Sequence, residues 1–335
     1  VLYATQVCKI ILPELTGGSA DAQSGGYNIL LPIQTASADE TIPQDDVLVM
    51  GKIGGVARVQ KDVATTKCSV KAFLASEGTY NDGASPAGTW PGNSAHGATD
   101  EMAEFLSDLE VSATEGKQMR VIVNSAGLSG GAYDGFDVYG IVNNISIDAS
   151  KGAFPMLDLS FEGVGRMSRL DMGTASTNPS SHGGSESLKS VVPLVSTDVS
   201  LGATAASSDT INSVKFAFDL PTETLSRLGG VIMGDYDNVD QDNMIFSKPP
   251  YKATMTVDGQ SIDAINTQWG SASTNNAVNT SIGAQFKKGT SAGFLVSVNY
   301  EGAAISSRSF SQNVGDVGAT FSVSAEGTDA TFTAV

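Results

Sequence analysis

The stretch Leu157-Asp-Leu-Ser-Phe-Glu-Gly163 constrains the fold more than any other in the chain. Leu157, Leu159 and Phe161 alternate with Asp158, Ser160 and Glu162, the period-two pattern of a strand with one face buried and the other in water. The pattern returns at Val296-Ser-Val-Asn-Tyr-Glu-Gly302, 139 residues later (296 against 157), again ending aromatic-Glu-Gly. Ser69-Val70-Lys71 is echoed in the same way by Ser213-Val214-Lys215, 144 residues later (213 against 69). Two echoes in the same order at nearly equal offset point to a duplicated β-rich domain. Segments 69–71 and 213–215 would be counterparts, as would 157–163 and 296–302.

Composition agrees with that class. The 335 residues suffice for two domains, each with its own core. Only 16% of them are charged, and 37 are glycine, the mark of a turn-rich β-protein. The net charge of −17 argues against nucleic-acid binding through a basic face. Cys8 and Cys68 are too few for a disulfide framework and lack metal-knuckle spacing, so they read as small buried hydrophobes. The start shows no basic segment followed by an apolar run, and no stretch nears the ~20 apolar residues that span a bilayer. A protein soluble as made, without a membrane partner, is expected.

Strands are expected within 1–14, 27–33, 47–50, 56–63 and 67–74, with Thr35 to Asp46 polar and turn-like. Ser76 to Gly97 is a long breaker-rich loop. Thr99 to Val111 predicts the one clear helix, since Met102, Phe105, Leu106 and Leu109 form a single apolar stripe and acidic residues fill the first turn. A strand at Met119 to Val123 follows, then an antiparallel pair, Phe136 to Ile147 and Phe154 to Phe161, turned at Ser150-Lys151-Gly152. Asp171 to Ser190 is a Ser/Gly-rich linker. Beyond it, strands are expected at 191–201, 212–218, 251–257, 281–286, 293–300 and 319–325, and a short helix at Pro221 to Leu228 before Gly229-Gly230. The domains are thus 1–170 and 191–335, joined by 171–190.

Chemistry is sparse. Gly127-Leu-Ser129-Gly-Gly131 matches the nucleophile elbow Gly-x-Ser-x-Gly, but no helix can follow it and the only downstream histidine, His182, is in the linker. Asp235 to Asn243 is rich in oxygen ligands but lacks the glycine and glutamate of a calcium loop, and reads as a solvated acidic loop. His96 and His182 have no partner at metal spacing. Asn144-Ile-Ser146 and Asn279-Thr-Ser281 fit the glycosylation sequon without an export context. No catalytic, cofactor-binding or metal-binding residue is assigned, and an enzyme is not expected.

The segment Asp137 to Ile147 followed by Met156 to Gly165, with the helix Thr99 to Val111 before it, resembles the closing strands of the tail tube proteins of long-tailed, siphovirus-like phages. Val296 to Gly302 ends the second half alike. The resemblance implies two tandem β-sandwich or half-barrel domains, each with one flanking helix, in a ring-forming subunit. It further implies rings stacked into a hollow tube that conducts DNA, with the other tail proteins as partners. The place would be the virion tail, after synthesis in the host cytoplasm. The resemblance also implies that tubes built from one domain per chain are expected to close with six-fold symmetry, so a tandem chain would need three copies. The alternative is another virion or surface β-protein, a decoration, fibre or adhesin module that binds a receptor or glycan.

Overall fold

A computed structural model describes residues 6–12, 27–31, 33–48, 50–51, 55–60, 64–74, 101–114, 119–125, 134–165, 167–169, 196–201, 204–206, 211–226, 243–261, 281–288, 291–299, 305–311 and 319–334. These residues are mainly β, in antiparallel sheets. The first half contains β1 (Gln6–Leu12), β2 (Tyr27–Leu31), β3 (Ile33–Thr41), β4 (Gln44–Leu48), β5 (Gly55–Gln60) and β6 (Thr65–Phe73). The helix α1 (Glu101–Thr114) follows, then β7 (Met119–Ser125), β8 (Asp134–Ser150), β9 (Met156–Val164) and β10 (Ser168–Arg169). The second half contains β11 (Ser196–Leu201), β12 (Thr204–Ala206), β13 (Ile211–Asp219), β14 (Thr222–Ser226), β15 (Asn243–Ser247) and β16 (Lys252–Ser261). It ends with β17 (Ser281–Lys288), β18 (Ser291–Asn299), β19 (Ile305–Ser311), β20 (Ala319–Gly327) and β21 (Asp329–Ala334).

One path of eight strands, β3-β6-β9-β8-β13-β16-β20-β19, runs through both halves without a break. A five-stranded sheet, β12-β11-β17-β18-β21, shares the same buried apolar cluster. Phe216 of β13 meets Phe332 of β21 edge to face at 5.9 Å, which ties the two sheets together. The period-two reading of Leu157 to Gly163 holds in β9, where Leu157, Leu159 and Phe161 are buried and Asp158, Ser160 and Glu162 are only partly so. Cys68 is buried among them, and burial pushes its thiol up to about 12, so it stays a protonated hydrophobe.

β8 holds the halves together. Along one edge it pairs with β9 and then β10, and along the other with β7 at residues 134–140 and β13 at 144–150. Its hairpin with β9 turns at Gly152, which takes a left-handed φ of 83°, and Ala153 N–H donates to Ser150 O. Where the backbones of β8 and β9 draw close, only glycine fits. A Cβ on Gly163 would overlap the Tyr139 carbonyl oxygen, and one on Gly140 would lie 2.8 Å from the Glu162 carbonyl oxygen.

Helix α1 forms as its stripe predicts, with Phe105, Leu106 and Leu109 fully buried. The side chain of Met102 lies outside the described residues. Ala103 and Ala113 extend the stripe, so that the helix packs against β8 of the first half and against β15, β18 and β21 of the second. Glu110 is caught in this contact. Loss of water raises its carboxyl to about 7, and the Asp329 carboxylate of β21 pushes it the same way.

Several expectations need correction. Residues 221–228 do not begin a helix: Thr222–Ser226 is β14, paired with β15 from Thr222↔Ser247 to Ser226↔Asn243. A hairpin partner and the β-branched Thr222 and Thr224 outweigh the local helix signals. Thr35 to Asp46 is not a turn but most of β3 and the start of β4. Its alternation is in the small residues Ala36 and Ala38, which pack against the core while Ser37 and Asp39 face water. The linker 171–190, the loop 76–97, Ser129, His96, His182 and Asp235 to Asp242 lie outside the described residues.

The echoes also join the wrong strands. Eight ladders formed by residues 6–169 recur in the same chain order among residues 196–334. β1-β2, β1-β7, β7-β8, β8-β10, β3-β6, β4-β5, β6-β9 and β8-β9 match β11-β12, β11-β17, β17-β18, β18-β21, β13-β16, β14-β15, β16-β20 and β19-β20 respectively. Two register breaks match as well: Ile33/Thr35 with Ile211/Ser213, and Val142/Asn144 with Ile305/Ser307. In this correspondence β6 answers β16, not the β13 that carries Ser213-Val-Lys215. β9 answers β20, not the β18 that carries Val296 to Asn299. The counterpart of Phe161-Glu-Gly163 is Ala325-Glu-Gly327.

Three substitutions check this packing. Leu106→Ala should cost about 2–5 kcal/mol in chemical denaturation, as for a fully buried leucine. Gly163→Ala should cost about 1–3 kcal/mol or more, because the Tyr139 carbonyl is backbone and cannot swing aside. Glu110 binds a proton in the folded state, and not in the unfolded, between its ordinary value of 4.5 and about 7. Stability contributed by the neutral carboxyl is therefore complete below pH 4.5 and is lost as pH rises to 7. Glu110→Gln should raise the urea midpoint at pH 8 and leave it nearly unchanged at pH 4.5.

Candidate functional surface

The solvated face of the eight-strand path is an ordered polar surface that runs across both halves. Each strand sends alternate residues to the core, and the remainder fall on this face in register. β6 contributes Lys67, Ser69 and Lys71, and β9 contributes Asp158, Ser160 and Glu162. β8 adds Asn144, Ser146 and Asp148, which lie opposite Asp219, Ala217 and Lys215 of β13. β16 and β20 continue with Thr254, Thr256, Asp258, Ser322, Ser324 and Glu326. β3 and β19 end the face with Ser37, Asp39, Ser307 and Ser309.

The bonds on this face run across the strands. Lys71 Nζ is 2.8 Å from Asp158 Oδ2, Lys67 Nζ is 3.6 Å from Glu162 Oε1, and Lys252 Nζ is 3.6 Å from Glu326 Oε1. Its hydrogen bond to Asp158, together with that carboxylate's charge, raises the Lys71 ammonium above its ordinary value. Ser213 donates to Asp258 at 2.8 Å, and Asn144 donates through Nδ2 to Asp219 at 2.6 Å. The Asn144 sequon is therefore embedded in a ladder. Thr256 and Ser324 hydroxyls lie 3.1 Å apart.

The sign of the charge follows from the register. Lys67, Lys71, Lys215 and Lys252 face seven carboxylates, those of Asp39, Asp148, Asp158, Glu162, Asp219, Asp258 and Glu326, for a net charge of −3 on the face. Lysines held against carboxylates offer little to a phosphate, and the surplus of negative charge repels one. Ser and Thr hydroxyls give the face water-like hydrogen bonding with short side chains.

Little in the way of conventional site chemistry appears among the described residues. Among the described residues no group of three or more His, Cys, Asp or Glu could hold a metal ion. Among the same residues no helix is long and apolar enough to cross a membrane. Sequence reasoning found the inner strands of the face, β6, β9, β8 and β13, from their strong alternation. It missed both outer strands, β3 and β19, where small and polar residues mask the period. The alternation of Ala36 and Ala38 with Ser37 and Asp39 was the available signal.

No protein-family model matches the chain, and no curated protein matches it.

Proposed function

We propose that the chain is the major tail tube subunit of a long-tailed phage, a structural virion protein of tandem-domain type. It polymerises as stacked rings into a hollow tube through which DNA passes. The observation that carries this reading is the open eight-strand sheet built from two like units joined edge to edge by β8 and β13. A unit that accepts a copy of itself along one edge and offers the same edge at its far side can continue the pattern. A heterologous contact of that kind closes a ring when the rotation per unit allows it.

The matching ladders support tandem domains, the first around β1–β10 with α1 at its flank, the second around β11–β21. Four strands from each, β3-β6-β9-β8 and β13-β16-β20-β19, line the same face, so three chains would supply six like sheets around a channel. The polar face would be the wall. A net negative, Ser/Thr-lined wall with its lysines opposite carboxylates lets a polyanion slide without sticking, which transit of DNA requires. The localisation in a virion tail, and contacts with other tail proteins, follow from this reading.

Negative-stain microscopy of the purified protein tests it. End-on class averages should show rings of three chains with six similar lobes, and side views should show stacked discs. Six chains per ring would overturn the tandem count, and discrete monomers at every concentration would overturn the tube.

A further inference from the structure

Of the seventeen ladders in the described residues, sixteen form eight matching pairs and one stands alone: β8 with β13, the join between the two halves. The counterparts of β8 and β13 in the correspondence are β19 and β3. Among the described residues β19 pairs only with β20 and β3 only with β6, so each presents an edge. We propose that β3 of one chain pairs with β19 of the next, and that this ladder is the bond between chains in the assembly. The inference rests on the ring reading and specifies its contact.

The register follows without adjustment. The matching breaks place Asn144, Ile145 and Ile147 in correspondence with Ser307, Arg308 and Phe310. They likewise place Phe216, Phe218 and Asp219 in correspondence with Ala38, Glu40 and Thr41. In the join Phe216 lies opposite Ile147, Phe218 opposite Ile145, and Asp219 opposite Asn144. Between chains the same geometry sets Ala38 opposite Phe310, Glu40 opposite Arg308, and Thr41 opposite Ser307. Ser37 then faces Ser311, and Asp39 faces Ser309.

Two features of that register fit a contact between copies. An apolar pair in the join, Phe218 and Ile145, is replaced by an acid on one edge and a base on the other. Opposite charges directly across a ladder attract, and either one reversed would repel its partner. On the solvated side the opposed residues are Ser37 with Ser311, Asp39 with Ser309 and Thr41 with Ser307, so the polar face runs on across the chain boundary.

The hairpins give an independent observation. Two residues separate β13 from β14, and the β14–β15 hairpin lies on the first half: Thr222 donates to Glu162 at 2.6 Å, Ser247 donates to the Ala113 carbonyl at 2.6 Å, and Ile245 is buried. Two residues separate β3 from β4 in the same way, but its hairpin with β5 is exposed. Val47, Leu48, Met50 and Val59 are four of the five large hydrophobics exposed among the described residues, with Leu48 75% exposed. Carried across by the β3–β19 ladder, this hairpin lies over β19 and β20 of the neighbouring chain, as β14–β15 lies over β8 and β9. The occupant of that surface is therefore a second copy of this chain.

Reversing charges in the full chain tests the contact. Glu40→Arg and Arg308→Glu should each raise the concentration for half-assembly by about tenfold or more, and the double variant should restore it. Folding of every variant is checked by circular dichroism and thermal midpoint. Ser37→Cys with Ser311→Cys, at exposed positions, should on oxidation give covalent dimers and trimers on a non-reducing gel, with wild type as the control for Cys8 and Cys68. Folded single variants that assemble like wild type, a double variant with no recovery, or a cysteine pair that does not cross-link would each overturn the ladder while leaving rings standing. A wild-type protein that never assembles would instead overturn the ring reading and this inference with it.

Discussion

Every backbone N–H and C=O in a strand must find a partner, and β8, 17 residues long, finds one strand or another along nearly all its length and is paired on both edges at 136–137 and 144–148. One edge is taken by β9 and β10, and the other is divided between β7 and β13. The division falls at the bulge beside Asn143, whose carbonyl would otherwise be orphaned between the two neighbours. Leu220 N–H, just past β13, donates to it at 2.9 Å. The continuity of the polar face from the first half into the second depends on this one strand. Gly140 and Gly163 serve the same end, since β9 can follow β8 through its bend only where the backbones touch without side chains between them.

The two faces of the eight-strand path are under different constraints. The buried face varies in side-chain size but stays apolar, and Leu157, Leu159 and Phe161 correspond to Phe321, Val323 and Ala325, all six buried. The solvated face keeps chemistry instead, with a glutamate at both 162 and 326 beside a glycine at both 163 and 327. Cross-strand pairs such as Lys71 with Asp158 contribute little to stability at such exposure. Their consequence is for the field at the surface, where each lysine is answered across a strand.

Helix α1 makes the halves interdependent from the other side. It belongs in sequence to the first half, yet its partners include β15, β18 and β21. Ser247 of β15 donates to the carbonyl of Ala113 in the last turn of the helix, where carbonyls lack intrahelical donors. Half-burial of Glu110 against the second half is the main origin of its raised carboxyl, and the approach of β21 adds the charge of the exposed Asp329.

Much of the strand content was legible in local pattern. Alternation located β6, β8, β9, β13, β16 and β20, because strongly apolar residues occupy every second position there. The stripe of Phe105, Leu106 and Leu109 located α1 for a similar reason, each buried side chain recurring once per turn. Local pattern failed at β3 and β14, where small or β-branched polar residues become strand only because a partner strand supplies the hydrogen bonds. It also joined the wrong strands as repeats, since two half-buried strands share a period whether or not they share a place. Which strands correspond is decided by ladders and bulges, and those are properties of pairing between residues distant in sequence. The amino-acid sequence by itself determined which faces are dry and which are wet. Only the tertiary structure decided which edges meet, because a backbone hydrogen bond carries no side-chain signature.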